Sequence, residues 1–190
     1  MNKTCRCGKE YIQYSTMQTR CSFCLAKRAK DTREKKERKD HRKAKEGLKT
    51  WSQWNSEAQR AYNKVIRLLD RHEPCISCGR EDWEIKEYLV GGKWDCGHYK
   101  TRGAFPELRF ALYNSHKQCK SCNGGSGKYT KKNHTVGKDY RINLIEKIGL
   151  ENVEYLEGPH PLREYSIEDL KEIKQGFNQW ARELEKALET

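Results

Sequence analysis

"DCGHYKTRGAFPELRFALYNSHKQCKSCNGG", residues 95–125, holds two acids, two histidines, two asparagines and a Cys-x-x-Cys among scattered lysines and arginines. Its last cysteine is followed directly by Asn123. A thiolate pair at this spacing supplies half of a tetrahedral zinc site, so a second pair must complete it. Cys75-x-x-Cys78 lies forty residues upstream of Cys119-x-x-Cys122, and the four together read as a structural zinc site. A four-cysteine site by itself only holds a fold together. Any chemistry must come from the residues between and just after the pairs.

Outward from this stretch the cysteine pattern repeats. Eight of the nine cysteines fall into close pairs, and Cys5/Cys7 and Cys21/Cys24, separated by thirteen residues, make a second candidate site. The N-terminus "MNKTCRCGKE" has no apolar run of the kind an export signal needs, and no stretch approaches membrane-spanning length. A soluble, unexported chain with reduced thiols is expected, with two Zn²⁺ ions rather than a disulfide framework. Cys96, left over, reads as a small buried filler.

The chain has 190 residues, 35% apolar and 35% charged, with a net charge of +12. That excludes one large core and favours helices and metal-stapled pieces around a modest centre. The charge is uneven: +10 over residues 1–50, +7 over 51–150 and −5 over 151–190. A basic front and an acidic tail point to a polyanion partner for the former.

Four regions follow. Residues 1–24 read as a miniature zinc ribbon whose folding energy is metal binding, with a short hairpin in "KEYIQYS" between the pairs. Residues 25–49 read as a solvated basic helical arm, because they alternate charges without an apolar stripe. Residues 50–150 form the zinc-bearing core. Helical spacing runs from Trp51 to Leu69, then "WEIKEYLV-GG-KWDCGHY" suggests two strands joined by a Gly-Gly turn. "LRFALY" is a third candidate strand, and "GKDYRINLIEKIG" returns to helical spacing. Residues 151–190 end in an amphipathic helix opened by a capping box from Ser166 to Asp169, suited to intramolecular contact or dimerisation. The fold class expected is α+β.

Hydrolysing a phosphodiester needs a base to make the nucleophile, a cation to neutralise charge at phosphorus, and a group that orients the base. His98 can be the base, since imidazole is neutral near pH 7. Asn123 and Asp95 offer hard oxygens suited to Mg²⁺ or Mn²⁺. Asn114 can hold the His98 ring or the adjoining loop by its amide. On a regular strand residues 95 and 98 face opposite sides, so Asp95 needs a bulge at Gly97 to share a metal with His98's neighbourhood. Lys100, Arg102, Arg109, His116, Lys117 and Lys128 surround the stretch in sequence and are candidate DNA contacts. "GGSGK", residues 124–128, lacks the spacing of a phosphate loop, which excludes ATP binding of that type.

The order Cys-x-x-Cys, Asp-x-Gly-His, Asn, Cys-x-x-Cys-Asn resembles the HNH or ββα-metal nucleases, and more narrowly the zinc-bearing endonuclease VII type. "DCGH" is also similar to the Asp-Arg-Gly-His signature of the non-specific ββα nucleases, with Cys96 in place of the arginine. The resemblance implies a ββα finger in which His98 is the general base and Asn123 the chief metal ligand. The paired N-terminal cysteines, charged helix, "DCGHYKTRG", "LRF" and "NSHKQCKSCN" together resemble the NinG (Rap) family of recombination endonucleases of lambdoid phages. That resemblance implies a structure-specific endonuclease acting on branched DNA, Holliday junctions and D-loops, in the host cell cytoplasm. Two nicks in one junction are most simply made by two sites, so a homodimer is expected. The alternative is a non-catalytic zinc module that binds DNA and recruits recombination proteins.

Overall fold

The computed structural model describes residues 2–85, 92–124 and 130–189, with side chains left undescribed at 130–135. The chain divides into two compact units, residues 1–50 and 51–190.

In the first unit strand β1 (Asn2–Thr4) pairs antiparallel with β2 (Glu10–Ile12), Lys3 opposite Tyr11. The hairpin therefore encloses the first cysteine pair instead of lying between the two pairs as the sequence suggested. Gly8 takes φ +84° and donates its N–H to the Cys5 carbonyl at 2.8 Å, which turns the chain tightly enough to bring both thiols to one side. Helix α1 (Ser22–Gly47) then runs for 26 residues without burying one. It has no apolar stripe, and it relies on helix-favouring residues and i,i+4 pairs such as Arg33–Glu37 at 2.9 Å.

The second unit is built on helix α2 (Trp51–Leu69), whose apolar spacing the sequence shows plainly. Helix α6 (Ile167–Leu188) lies along it. The two run in the same direction, because Glu57 meets Lys174 and Lys64 meets Glu185, both at 2.8 Å. Trp54, Ala58, Tyr165 and Leu170 form the buried contact, and Phe177 meets Tyr62 edge-on at 5.1 Å. The α6 stripe is thus engaged within the chain. Its start is fixed by the reciprocal capping box between Ser166 and Asp169.

A two-stranded hairpin sits at the centre: β3 (Trp94–His98) pairs antiparallel with β4 (Ser115–Cys119), from Trp94 opposite Cys119 to His98 opposite Ser115. The α2 side of this hairpin buries Cys96 against Tyr62 and Ile66. Helices α4 (Thr130–Ile148) and α5 (Leu150–Glu157) supply a second core of Tyr140, Leu144, Val153 and Leu156, closed by Ile76 and Leu108. The Tyr140 hydroxyl donates to the Gly97 carbonyl at 3.0 Å, which fastens α4 to the hairpin. A four-residue helix α3 (Lys120–Asn123) follows β4 directly.

Two strand expectations need correction. "LRFALY" is not a strand: residues Pro106–Leu108 and Leu112–Asn114 form 3₁₀ turns, and the strand begins at Ser115. Its alternation reflects two separate cores, because Leu108 enters the α4 cluster while Phe110 enters the α2–α6 cluster. In "WEIKEYLV", residues Asp82–Glu84 form a 3₁₀ turn with its own capping box, and residues 86–91 lie outside those described. The real second strand, "SHKQC", is polar yet buried throughout, so no hydrophobic pattern marks it.

Candidate functional site

Both four-cysteine clusters assemble. Cys5, Cys7, Cys21 and Cys24 place their sulfurs within 4.8 Å of one another, as do Cys75, Cys78, Cys119 and Cys122. The two are built the same way. Each begins with a knuckle closed by a left-handed glycine, Gly8 or Gly79, and Gly79 N–H bonds the Cys75 carbonyl at 2.8 Å. Each ends with a cysteine just before a helix, Cys21 or Cys119, and another in its first turn. In each, the backbone N–H of that helix-capping cysteine donates to the first knuckle sulfur, Cys21 to Cys5 at 3.3 Å and Cys119 to Cys75 at 3.2 Å. Backbone N–H groups of Cys7 and Cys21 hold the Cys5 thiol down to about 6, while the Cys7 and Cys21 side chains push the Cys24 thiol up to about 12. Arg80 adds cationic donors at the second site, 3.2 Å from Cys78 Sγ and 3.4 Å from Cys119 Sγ. The residues fit two Zn²⁺ ions.

The polar set divides between the faces of the hairpin. The β3–β4 register is unbroken from residue 94 to 98, so the bulge expected at Gly97 is not there. Gly97 is required for another reason: a Cβ there would stand 2.2 Å from Gln118 Oε1. Asp95 and Asn123 are brought together on one face, where the Asn123 amide donates to Asp95 Oδ2 at 3.1 Å and Lys120 stands 3.9 Å away. One carboxylate and one amide, both reachable by solvent, thus meet through the amide nitrogen with a lysine ammonium beside them. His98 lies on the opposite face, its ring 5.9 Å from that of Tyr62 on α2. Along a regular strand the two positions are about 10 Å apart at Cα. The structure therefore joins Asp95 with Asn123 and separates both from His98.

His98 is half-buried, and burial, helped by the charges of Arg102 and Arg109, lowers its pKa to about 4. The ring is neutral at pH 7. His98 Nε2 is 3.1 Å from the Arg109 carbonyl oxygen. A carbonyl can only accept, so the ring donates from Nε2 there, and the Cys96 backbone also meets the ring and, like the Arg109 carbonyl, works against the lowering by burial. Burial and the neighbouring Arg102 charge also lower the Arg109 pKa, and the Arg109 guanidinium donates to the Arg102 carbonyl at 3.3 Å.

Asn114 is fully buried and holds the loop, not the ring. Its Oδ1 accepts from Lys100 N at 2.8 Å, and its Nδ2 donates to the carbonyls of Lys100 and Leu108, both at 3.0 Å. It thereby closes the loop whose next residue, Arg109, presents its carbonyl to His98.

Two sequence candidates for DNA contact lie inside the hairpin. His116 Nδ1 is 3.1 Å from Asp70 Oδ2, a carboxylate that Lys147 also meets at 2.9 Å. Lys117 is buried, its ammonium donating to the Arg71 carbonyl at 2.9 Å and lying 4.2 Å from the Trp94 ring centroid. The Lys100 ammonium lies over the rings of Tyr99 and Phe105, 5.3 Å from each. Lys128 lies outside the described residues. Sequence reasoning missed Gln59, which stands 3.5 Å from His98 Nε2, and Asp70, which anchors β4; the one signal was a polar residue on an otherwise apolar helix face.

These features define a small α+β protein with two four-cysteine clusters that could hold metal, and a neutral histidine at the end of its central hairpin beside two arginines of the hairpin loop. Comparison with known proteins gives its relationship. The NinG family, described as Bacteriophage Lambda NinG protein, matches residues 1–189, and the chain belongs to that family. Protein ninG of Escherichia phage lambda is 40% identical over 142 residues, 74% of this chain and 61% of that protein. Protein ninG of Salmonella phage P22 is 39% identical over 142 residues, 74% of this chain and 62% of that protein. The match therefore spans about three fifths of those relatives' length. No solved structure matches. Among the described residues no helix is long and apolar enough to cross a membrane.

Proposed function

We propose that the chain is a metal-dependent endonuclease that hydrolyses branched DNA, Holliday junctions and D-loops among them, during phage recombination in the host cytoplasm. The hairpin β3–β4 with the helix after it would be the ββα-metal finger of an HNH-like nuclease, held by the second Zn²⁺. The observation that carries this reading is the His98 ring itself, neutral and held by Nε2–H on the Arg109 carbonyl beside Arg102 and Arg109, because a neutral imidazole is what a general base needs. In this reading His98 takes the proton of the attacking water, and Arg102 and Arg109 hold the phosphate beside it. Asp95 and Asn123 would hold the divalent ion, which neutralises charge at phosphorus and the leaving oxygen when bound. Asn114 is a positioning residue that acts through the loop. A homodimer would supply the two sites that resolving a junction requires.

A second reading, a non-catalytic zinc module that binds DNA and recruits recombination proteins, is favoured by one observation. His98 and the Asp95–Asn123 pair occupy opposite faces of an unbulged strand. A labelled four-way junction incubated with parent, His98→Ala and Asn123→Ala protein in Mg²⁺ separates the two. Loss of the base should slow cleavage by about 10²- to 10⁴-fold with junction binding retained. Equal cleavage by His98→Ala and parent refutes the catalytic assignment, and binding without cleavage by the parent selects the second reading.

A further inference from the structure

We propose that the cleft where the C-terminal end of α2 meets the start of β3 is a second phosphodiester-binding subsite, taking the nucleic-acid strand that runs on from His98. Gln59, Asn63, Arg67 and Arg71 recur every four residues and so form one stripe along α2 and the turn after it. The stripe begins beside His98, where Gln59 Nε2 lies 3.5 Å from the ring nitrogen. It ends at Arg67 and Arg71, which line a cleft of about 400 Å³ together with Lys93, Trp94, Asp95 and Lys117. Strand β3 packs against α2 beside the stripe. Four residues of strand span about 13 Å, or roughly four base steps of a B-form strand at 3.4 Å each.

The charges in the cleft do not cancel. Asp82 is already occupied by Lys93 Nζ at 2.9 Å and Trp94 Nε1 at 2.5 Å. Asp95 takes the Asn123 amide and faces Lys120. The Lys117 ammonium is tied to the Arg71 carbonyl. Among the described residues neither the Arg67 nor the Arg71 guanidinium has an ion-pair or hydrogen-bond partner, although the two sit at i,i+4, where like charges repel. An anion bridging them relieves that repulsion. Neither arginine belongs to the set around His98, and none of the sequence motifs points to them.

That the anion is a DNA strand rests on the function proposed above; the capacity to bind phosphodiester does not. The test measures binding and cleavage separately. Anisotropy of a labelled four-way junction is followed over a salt series with zinc-loaded full-length protein and no magnesium, for the parent, Arg67→Gln/Arg71→Gln and Arg67→Lys/Arg71→Lys. The glutamine pair should weaken binding by about tenfold or more and reduce the slope of log K against log salt by about 2, one phosphate contact per arginine. The lysine pair should restore the slope, which a loss caused by misfolding would not allow. An unchanged slope and affinity in the glutamine pair overturn the subsite, whether or not the parent cleaves. A reduced slope with no cleavage by the parent keeps the subsite and removes the nuclease reading.

Discussion

Asn114→Ala is the sharpest perturbation of the hairpin, because a single fully buried amide makes three hydrogen bonds to the loop that ends on His98. Each such bond contributes about 1 kcal/mol net. Truncation also leaves the Lys100 N–H and two carbonyls without their partner away from water, so a total of about 3–5 kcal/mol is expected. With a urea m-value of about 2 kcal/mol/M for a unit of this size, the midpoint should fall by about 1.5–2.5 M. The measurement is urea unfolding of the zinc-loaded chain at fixed free zinc, so that metal linkage does not differ between variants. Asn114→Asp is the control. It keeps the acceptor for Lys100 N but sets a carboxylate oxygen against the Lys100 and Leu108 carbonyls, so it should be no more stable than the alanine variant at pH 7. If the aspartate variant matches the parent, the two donated bonds do not hold the loop and the link from Asn114 to His98 fails.

Gly97→Ala should destabilise the second unit by about 1–3 kcal/mol, read in the same urea titration, since its Cβ meets the side chain of Gln118 while Gln118 is fixed to Ser77 at 2.6 Å. Cys24→Ser should lower zinc content from two ions per chain to one, measured by metal release, while leaving the thermal transition of residues 51–190 in place. Asp70 is pushed up by burial, but the bonds from His116, Lys147 and the Lys117 backbone outweigh this and hold it at about 2. Its stabilising contribution, about 2 kcal/mol at most, is therefore complete above about pH 4 and lost as pH falls toward 2; Asp70→Asn should lose it at neutral pH and flatten the acid limb of stability. His98, depressed to about 4, should keep a neutral, Nε2-protonated ring in nitrogen NMR down to about pH 5, and any cleavage carried by it should lack a rise near pH 6.5.

The elements that sequence reveals are those whose side chains see one environment. α2 and α6 bury one stripe each, and Trp54, Ala58, Tyr62 and Leu170 fall on it at helical spacing. The cysteine pairs are equally legible, because metal geometry constrains their spacing more tightly than any core does. β4 is not legible: Ser115, His116, Lys117 and Gln118 are buried polar residues whose partners, Asp70, Arg71 and Ser77, are supplied by tertiary structure alone. The turn residues 106–114 mislead for the converse reason, since Leu108 and Phe110 serve different cores and only mimic a strand. Within the site, Asp95 was expected to need a bulge at Gly97 to reach Asn123, yet the two meet from an unbroken strand, and the Arg109 backbone contact has no sequence signal. Besides the guanidinium that sequence points to, Arg109 brings its backbone carbonyl to within 3.1 Å of His98 Nε2.

That carbonyl explains why the motif has its spacing. Asp-x-Gly-His and Asn-Ser-His are the two strand ends of one loop, and Asn114 clamps the loop at Lys100 on one side and Leu108 on the other. Arg109, next in the chain, presents its carbonyl to the ring and its guanidinium to the Arg102 carbonyl. The same hairpin sends Asp95 to the far face, where α3 delivers Asn123 directly from the second cysteine cluster. A phosphate touched by His98 and by an ion on Asp95 and Asn123 must bridge positions about 10 Å apart on the strand. The nuclease and binding readings therefore differ in one distance, from His98 Nδ1 to Asn123 Oδ1 in a DNA complex. One phosphate with its ion reaches both atoms only if the strand end closes around it, and a complex in which that separation stays open assigns the two faces to different parts of the ligand.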